Sequence, residues 1–240
     1  MKKFWEIKQS TTDGADIFIF GEIVSYKWDD EDTTAASFQK DLKSLGEVNQ
    51  INLHINSPGG SVFEGIAIGN MLKQHKAQVT AYVDALAASI ASVIVASCDK
   101  VVMPENSMLM IHNPWTYSVG NAKELRKQAN DLDKIAESSV ITYLNKAGEK
   151  LTEEKIKQVM DEETWLSAQE AYDLGLCDVV ESTNQIAASI SKKLFAAYQN
   201  VPDELLMSTQ KKELSKSKRE EIIQKAQQEK AFIGEILGGL

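Results

Sequence analysis

Apolar and polar residues alternate along residues 50–56, and this period of two predicts a β-strand with one buried face. Residues 16–21 are β-branched or aromatic and stop at a glycine, which predicts a second strand. Between the two strands, apolar side chains recur at helical spacing at Ala35, Phe38, Leu42 and Leu45. The first part of the chain is therefore a predicted β–α–β unit.

The alternation of strands and helices continues downstream. A helix is predicted after the Pro-Gly-Gly turn of residues 58–60, because apolar residues follow at Val62, Ile66, Ile68, Met71 and Leu72. Further predicted elements are a strand at 79–83, a helix of small residues at 87–96, and short strands at 100–103 and 107–111. This order favours an α/β domain whose main sheet is covered on both faces.

The second half of the chain is dominated by helices. Residues 121–145 predict a long amphipathic helix that projects from the domain, and such helices often mediate assembly. Ser167 and Glu170 form a predicted capping box for a helix that ends at Gly175, and residues 177–180 predict a closing strand. Beyond about residue 181 the sequence becomes rich in Lys, Glu and Gln. We therefore predict one domain over residues 1–181 and a charge-rich helical extension over residues 182–240.

Composition narrows the class of protein. With 240 residues and 43% hydrophobic content, the chain can bury a full core. Its 35 acidic and 26 basic residues give a net charge of −9, so we expect no nucleic acid partner. Two distant cysteines argue for a reducing compartment, and no apolar run reaches the ~18 residues that a membrane span needs. We expect a cytoplasmic protein without a membrane partner.

No cofactor or metal is expected. The turn at residues 58–60 lacks the spacing of a phosphate-binding or dinucleotide-binding loop, and no group of His, Cys, Asp and Glu has metal-ligand spacing. The backbone amides of this turn are accessible at Gly59 and Gly60, because glycine has no Cβ. Accessible amides suit an oxyanion hole or the binding of an extended substrate. A plain strand-to-helix connection is the structural alternative.

Two polar side chains are candidates for nucleophilic catalysis. Ser89 begins the small-residue segment, where a helix N-terminus would favour nearby negative charge, although a helix cap or a close helix contact would also explain a serine there. His112 follows an apolar run and precedes Asn113-Pro114, so it lies where a strand ends. The remaining two histidines, His54 and His75, are interpreted as a strand residue and a solvated helix-end residue.

The third member of a triad would be an acid. The candidates are Asp161, Glu162 and Glu163, which could equally form a solvated turn, and spacing does not choose among them. Ser92 and Ser97 lie deeper in the small-residue segment and are interpreted as packing residues.

Taken in order, these segments resemble the ClpP serine peptidases, and in particular the ClpP-like proteases of phages and prophages. The similarity covers roughly residues 16–181 and is most specific in four motifs: INSPGGSV at 55–62, AAS at 87–89, MIHNP at 110–114 and WLSAQEA at 165–171. FIFGEI at 18–23 is similar to the opening strand of the phage-type branch.

The resemblance assigns Ser89 as nucleophile, His112 as general base, and the Gly60 and Ile90 amides as the oxyanion hole. The family's orienting aspartate falls on Glu163, which is a departure that leaves Asp161 as the less favoured candidate. A second departure is Ala85, which stands beside Asp84 where the housekeeping enzymes have glycine. We assign Gly59 and Asn113 to substrate binding.

The resemblance also implies an architecture: a crotonase-like fold of repeated ββα units that stacks into rings through the long helix as a handle. It implies a polypeptide substrate, with capsid or scaffold processing as the expected role and degradation with an ATPase unfoldase as the second role to consider. A crotonase-type acyl-CoA enzyme and a catalytically weak assembly scaffold are the two competing hypotheses. A His base with an ordinary pKa would make cleavage rise between about pH 5.5 and 7.5.

Overall fold

The computed structural model describes residues 3–9, 13–25, 34–182 and 200–201. The central feature of these residues is a mixed β-sheet of eight strands. The strands are β1 (Trp5–Gln9), β2 (Gly14–Phe20), β3 (Gln50–Ser57), β4 (Gln78–Ala88), β5 (Lys100–Pro104), β6 (Met108–Ile111), β7 (Thr164–Ser167) and β8 (Val179–Glu181). The helices are α1 (Ala35–Ser44), α2 (Val62–Lys73), α3 (Ile90–Ala96), α4 (Ala122–Ala147), α5 (Glu153–Asp161) and α6 (Ala168–Asp173), with a 3₁₀ turn at Gly148–Lys150. The predicted α/β class is confirmed.

Most neighbouring strands in the sheet are parallel. The order is β1-β2-β3-β4-β5-β8, in which β1 pairs antiparallel with β2 at one edge. The long strand β4 has two successive partners: its residues 80–82 pair with β5, and its residues 86–88 pair with β6. Strand β7 then pairs antiparallel with β6. Strands β3, β4 and β6 therefore end at the same side of the sheet.

Alternation in the strands creates the core. Ile51, Leu53 and Ile55 of β3 are fully buried together with Ile17, Ile19 and other apolar strand residues. The opposite side chains, Asn52 and His54, are only half-buried. The prediction that both faces of the sheet are covered is therefore wrong for this region, where one face retains contact with solvent.

Local capping defines where several helices begin. The predicted capping box at Ser167 and Glu170 is confirmed at the start of α6, and Asn121 with Glu124 forms another at the start of α4. The predicted helix at residues 87–96 begins later than expected, at Ile90. Ala87 and Ala88 instead extend β4, because their backbones pair with Leu109 and Met110 of β6.

Helix α4 has two different halves. Residues 121–130 are exposed, whereas Ser139, Val140, Tyr143 and Ala147 are buried. The C-terminal half thus packs on the core, through contacts with α3 and α5. No helix in the described part of the chain is long and apolar enough to cross a membrane. The predicted extension over residues 182–240 lies outside the described residues, except for 182, 200 and 201.

Candidate active site

The segments that follow β3, β4 and β6 meet where these three strands end. Ser57 lies opposite Ala87 in the β3–β4 pair, and Ala88 lies opposite Met110 in the β4–β6 pair. The Ser89 N–H also donates to the Met110 carbonyl over 2.8 Å. Residues that follow these strand ends by one or two positions are consequently brought together, although they are far apart in sequence.

Ser89 and His112 are in direct contact. The Ser89 Oγ lies 2.7 Å from the His112 Nε2, and both residues are half-buried. At this distance a neutral imidazole can accept the hydroxyl proton. The contact pairs a weak nucleophile with a base in the way that activated serines require.

The backbone of Ser89 adopts an unusual conformation. Its φ is 55° and its ψ is −129°, which L-residues rarely adopt, and such strain concentrates at functional sites. Its side chain makes no capping bond to α3. The interpretation as a helix-capping serine is therefore not supported, because the hydroxyl faces His112 instead.

The glycine turn lies directly against Ser89. A Cβ on Gly59 would be 2.7 Å from the Ser89 Cβ and 2.8 Å from the Ala88 carbonyl oxygen, so only glycine fits. Gly60 has a φ of 141° and pairs with Ile23, whose N–H donates to the Gly59 carbonyl over 2.7 Å. The turn is thus fixed by backbone contacts on both sides.

Burial controls the protonation of His112. Desolvation lowers the pKa of His112 below its ordinary value, and the negative charge of Glu163 opposes this shift without cancelling it. The imidazole is therefore neutral at pH 7, which is the state that a general base needs.

The strand register places Glu163 near His112. Ile111 pairs with Thr164 at the end of the antiparallel β6–β7 ladder, so the next residues outward on the two strands are His112 and Glu163. Glu163 is half-buried, has a φ of 48°, and accepts a hydrogen bond from the Asn200 backbone N–H over 2.9 Å. It is well placed to influence the imidazole.

Asp161 is differently engaged. It is exposed at the end of α5, and its Oδ1 accepts a hydrogen bond from the Asn113 Nδ2 over 2.7 Å. Glu162 is also exposed and accepts from the Gln158 side chain over 2.8 Å. Among the three acids, the geometry therefore favours Glu163 as the partner of His112.

A cleft adjoins this site between α4 and α5. It has a volume of about 430 Å³, and its lining includes Asn113, Pro114, Val140 and Asp161. Asn113 directly follows His112 in the chain. That Asn113 and Gly59 contact the substrate stays a prediction.

Two residues near the site have a larger part than the sequence indicates. The sequence predicts only packing for Ser92, but its Oγ lies 2.6 Å from the Ser89 carbonyl oxygen and 2.7 Å from the Tyr143 hydroxyl. Tyr143 lies 51 positions away, on α4, so no local pattern relates the two. Among the described residues, no group of His, Cys, Asp and Glu is arranged to hold a metal ion.

The comparison with known families matches this architecture. Residues 8–184 match the family described as Clp protease. The chain belongs to the Clp protease family, and the predicted ClpP-like fold is confirmed.

Individual relatives carry consistent names. A protein named ATP-dependent Clp protease proteolytic subunit 1 from Protochlamydia amoebophila is 35% identical over 140 residues, which are 56% of this chain and 67% of that protein. The ATP-dependent Clp protease proteolytic subunit of Chlorella vulgaris is 35% identical over 131 residues, or 53% of this chain and 64% of that protein. The ATP-dependent Clp protease proteolytic subunit 1 of Chlamydia abortus is 37% identical over 128 residues, which are 52% of this chain and 66% of that protein. The chain spans about two thirds of the length of these relatives.

Proposed function

We propose that this protein is a serine endopeptidase with Ser89 as nucleophile, His112 as general base and Glu163 as the acid that orients His112. The contact of 2.7 Å between the Ser89 Oγ and the His112 Nε2 carries this conclusion. The strained serine backbone, the neutral imidazole and the membership of the Clp protease family support it.

The arrangement supports a two-step acyl transfer. His112 takes the proton of Ser89 as the Oγ attacks the carbonyl carbon of a peptide bond, and the Gly60 and Ile90 amides stabilise the oxyanion. The C–N bond then breaks, and His112 gives the proton to the leaving amine. A water molecule, deprotonated by the same imidazole, hydrolyses the acyl-enzyme and restores the Ser89 hydroxyl.

Labelling with a serine-reactive fluorophosphonate tests this assignment. We expect one adduct on Ser89 in the wild type, none in Ser89→Ala, and much slower labelling in His112→Ala. Ser97→Ala is a matched control, because it removes another buried hydroxyl close by in the same segment. Cleavage of a fluorogenic peptide should follow the same order, and undiminished cleavage by Ser89→Ala would refute the proposal.

We further propose that the active form is a ring assembly of this chain. Support comes from the exposed N-terminal half of α4, which exposes Leu125, and from the family. Native mass spectrometry of the wild type and of Leu125→Glu tests this, with Glu137→Lys as a charge-changing control on the same helix. We expect Leu125→Glu to lower the oligomeric state, and a monomeric wild type under all conditions would contradict the idea.

The substrate is proposed to be a polypeptide, and two physiological roles are to be separated by experiment. The names of the relatives support degradation with an ATPase partner. The resemblance of FIFGEI at residues 18–23 to the opening strand of the phage-type branch is the reason to keep the processing of capsid or scaffold proteins as the other role. Incubation with casein, with and without an ATPase unfoldase and ATP, should be compared with incubation with a capsid precursor. ATP-dependent loss of casein supports the first role, and discrete cuts in the precursor without ATP support the second.

A further inference from the structure

A chain of buried hydrogen bonds connects α4 to the backbone of Ser89. The Ser92 Oγ donates to the Ser89 carbonyl oxygen over 2.6 Å, and the Ser92 N–H donates to the same oxygen over 3.0 Å. Since a hydroxyl has one hydrogen, the Ser92 Oγ must accept in its contact of 2.7 Å with Tyr143. The order of donation is therefore Tyr143 to Ser92 to Ser89.

Burial makes these hydrogen bonds persistent. Tyr143 is 2% exposed and Ser92 is 1% exposed, so neither hydroxyl can exchange its partner for bulk water. Burial also raises the pKa of Tyr143, so the phenol keeps its proton and remains a donor. Leaving a buried hydroxyl unpaired is costly, and hydrogen bonds in series strengthen one another in such surroundings.

The accepting oxygen belongs to the peptide group that ends at Ile90. A trans peptide is planar, and its carbonyl and N–H point in opposite directions, so fixing the Ser89 oxygen also fixes the direction of the Ile90 N–H. That nitrogen lies beside the glycine turn, since a Cβ on Gly59 would be 3.3 Å from it. Two hydrogen bonds to one carbonyl thus hold a donor of the proposed oxyanion hole.

The residue that carries this carbonyl, Ser89, has a strained backbone conformation. With a φ of 55°, Ser89 would relax toward negative φ unless its neighbours held it. The Ser89 N–H is fixed by Met110, and its carbonyl is fixed by Ser92. Contacts at both ends of the residue therefore oppose relaxation.

We propose that Ser92 and Tyr143 are positioning residues that hold the Ser89–Ile90 peptide group, so that the Ile90 N–H points at the oxyanion of the transition state. This inference rests on the proposed serine peptidase function.

Substitution of the two hydroxyls tests the proposal in the full-length protein. Because the oxyanion forms only in the transition state, Ser92→Ala should lower kcat about 10-fold and leave KM within about twofold, which is a smaller effect than deletion of a direct oxyanion donor. Tyr143→Phe should lower kcat by only about threefold. The loss is smaller because the Ser92 hydroxyl keeps its hydrogen bond to the Ser89 carbonyl. The affinity for a peptide boronate, which forms a tetrahedral adduct, should fall in parallel.

The double variant separates positioning from stability. Ser92→Ala leaves the Tyr143 hydroxyl buried without its partner, so adding Tyr143→Phe should recover part of the lost Tm. The kcat of the double variant should nevertheless stay as low as that of Ser92→Ala, since the hydrogen bond from the Ser92 hydroxyl to the Ser89 carbonyl is still missing and only the one from the Ser92 N–H remains. Ser97→Ala is the control: it removes a hydrogen bond of 2.9 Å to the Val93 carbonyl in the same segment and should change Tm but not kcat.

Four outcomes decide whether Ser92 and Tyr143 are positioning residues. A kcat that follows Tm across all four variants, or a wild-type kcat and boronate affinity in Ser92→Ala, would overturn the positioning role while leaving the peptidase intact. A wild type that neither cleaves peptides nor reacts with fluorophosphonate would overturn the proposed function, and this inference with it. A kcat loss in Ser92→Ala that persists in the double variant supports the proposal.

Discussion

His54 and His112 show how one side chain can serve two different purposes on one sheet. His54 lies on β3 with its Nδ1 3.0 Å from the Asp84 Oδ1, and its ring stacks between Phe18 and Tyr82 at centroid distances of 5.0 and 5.1 Å. His112 follows β6 and contacts Ser89, and the negative charge of Glu163 acts on its imidazole.

The two pKa values shift in opposite directions. The hydrogen bond with Asp84 raises the pKa of His54, because it outweighs a moderate loss of hydration. For His112 burial is the larger influence and lowers the pKa, although Glu163 acts the other way. A neighbouring carboxylate therefore does not by itself raise the pKa of a histidine, since loss of hydration and direct hydrogen bonding decide the direction of the shift.

Replacing each histidine by alanine gives the largest expected contrast. His112→Ala should lower kcat/KM by about 10³-fold or more, because the base is lost. His54→Ala should leave kcat/KM near the wild-type value, because its ring is engaged with Asp84 and two aromatic rings rather than with Ser89. Steady-state assays with a fluorogenic peptide measure both, and equal losses would end the proposed division of roles.

The carboxylates provide the next contrast. Glu163→Gln should lower kcat by about 10²-fold, because it removes the charge that stabilises the imidazolium formed during catalysis. Asp161→Asn is the matched control and should have little effect, since the amide oxygen of the new side chain can still accept the hydrogen bond from Asn113. If Asp161→Asn proved the more damaging change, the orienting acid would be Asp161.

The pH profile sharpens the comparison further. The proposed general base works only as the neutral imidazole, so if His112 has this role kcat/KM should rise with pH and reach half of its maximum below the ordinary histidine value of about 6.5. Glu163→Gln should move this midpoint lower still, because it removes the charge that raises the pKa of His112. A midpoint at or above pH 6.5 would contradict the effect of burial.

The smallest expected effect concerns stability. Because the folded state raises the pKa of His54, its ion pair with Asp84 stabilises the fold fully below the unfolded pKa, and this contribution is lost as the pH rises through the folded pKa. Asp84→Asn should therefore cost less than about 1 kcal/mol in acid and almost nothing at alkaline pH. Urea unfolding at pH 5.5 and 9 measures this, and an equal cost at both values would contradict it.

Local patterns predicted much of the fold. The strands β2 to β6, the helices α1, α2 and α4, and the capping box of α6 all have a sufficient signal within about ten neighbouring residues. The strands β1 and β7 and the helix α5 were not predicted, because they are short or mostly polar and depend on their partners in the fold. His75, expected to be solvated, is half-buried and accepts a hydrogen bond from the Ala77 N–H over 3.1 Å.

The candidate site divides in the same way. The ordered motifs and their resemblance to the ClpP peptidases brought out Ser89 and His112, whereas each residue taken alone also allowed a structural interpretation. Spacing alone did not choose among the acids, and the resemblance put the orienting acid on Glu163 with Asp161 less favoured. The register of β6 and β7 brings Glu163 next to His112 and supports that assignment, which stays a prediction. The role of Tyr143 could not be predicted for a related reason: its partner Ser92 lies on another helix, 51 positions away in the sequence.

The sequence by itself determined the alternation of strands and helices, the glycine turn and the identity of the candidate nucleophile and base, because hydrophobic period, backbone freedom and chemical type are properties of neighbouring residues. Only the tertiary structure decided that Glu163 and His112 are neighbours across the β6–β7 pair, how burial shifts the pKa of His112, and that Tyr143 reaches Ser89 through Ser92. Those features depend on distances and hydration between segments that meet only when the chain packs.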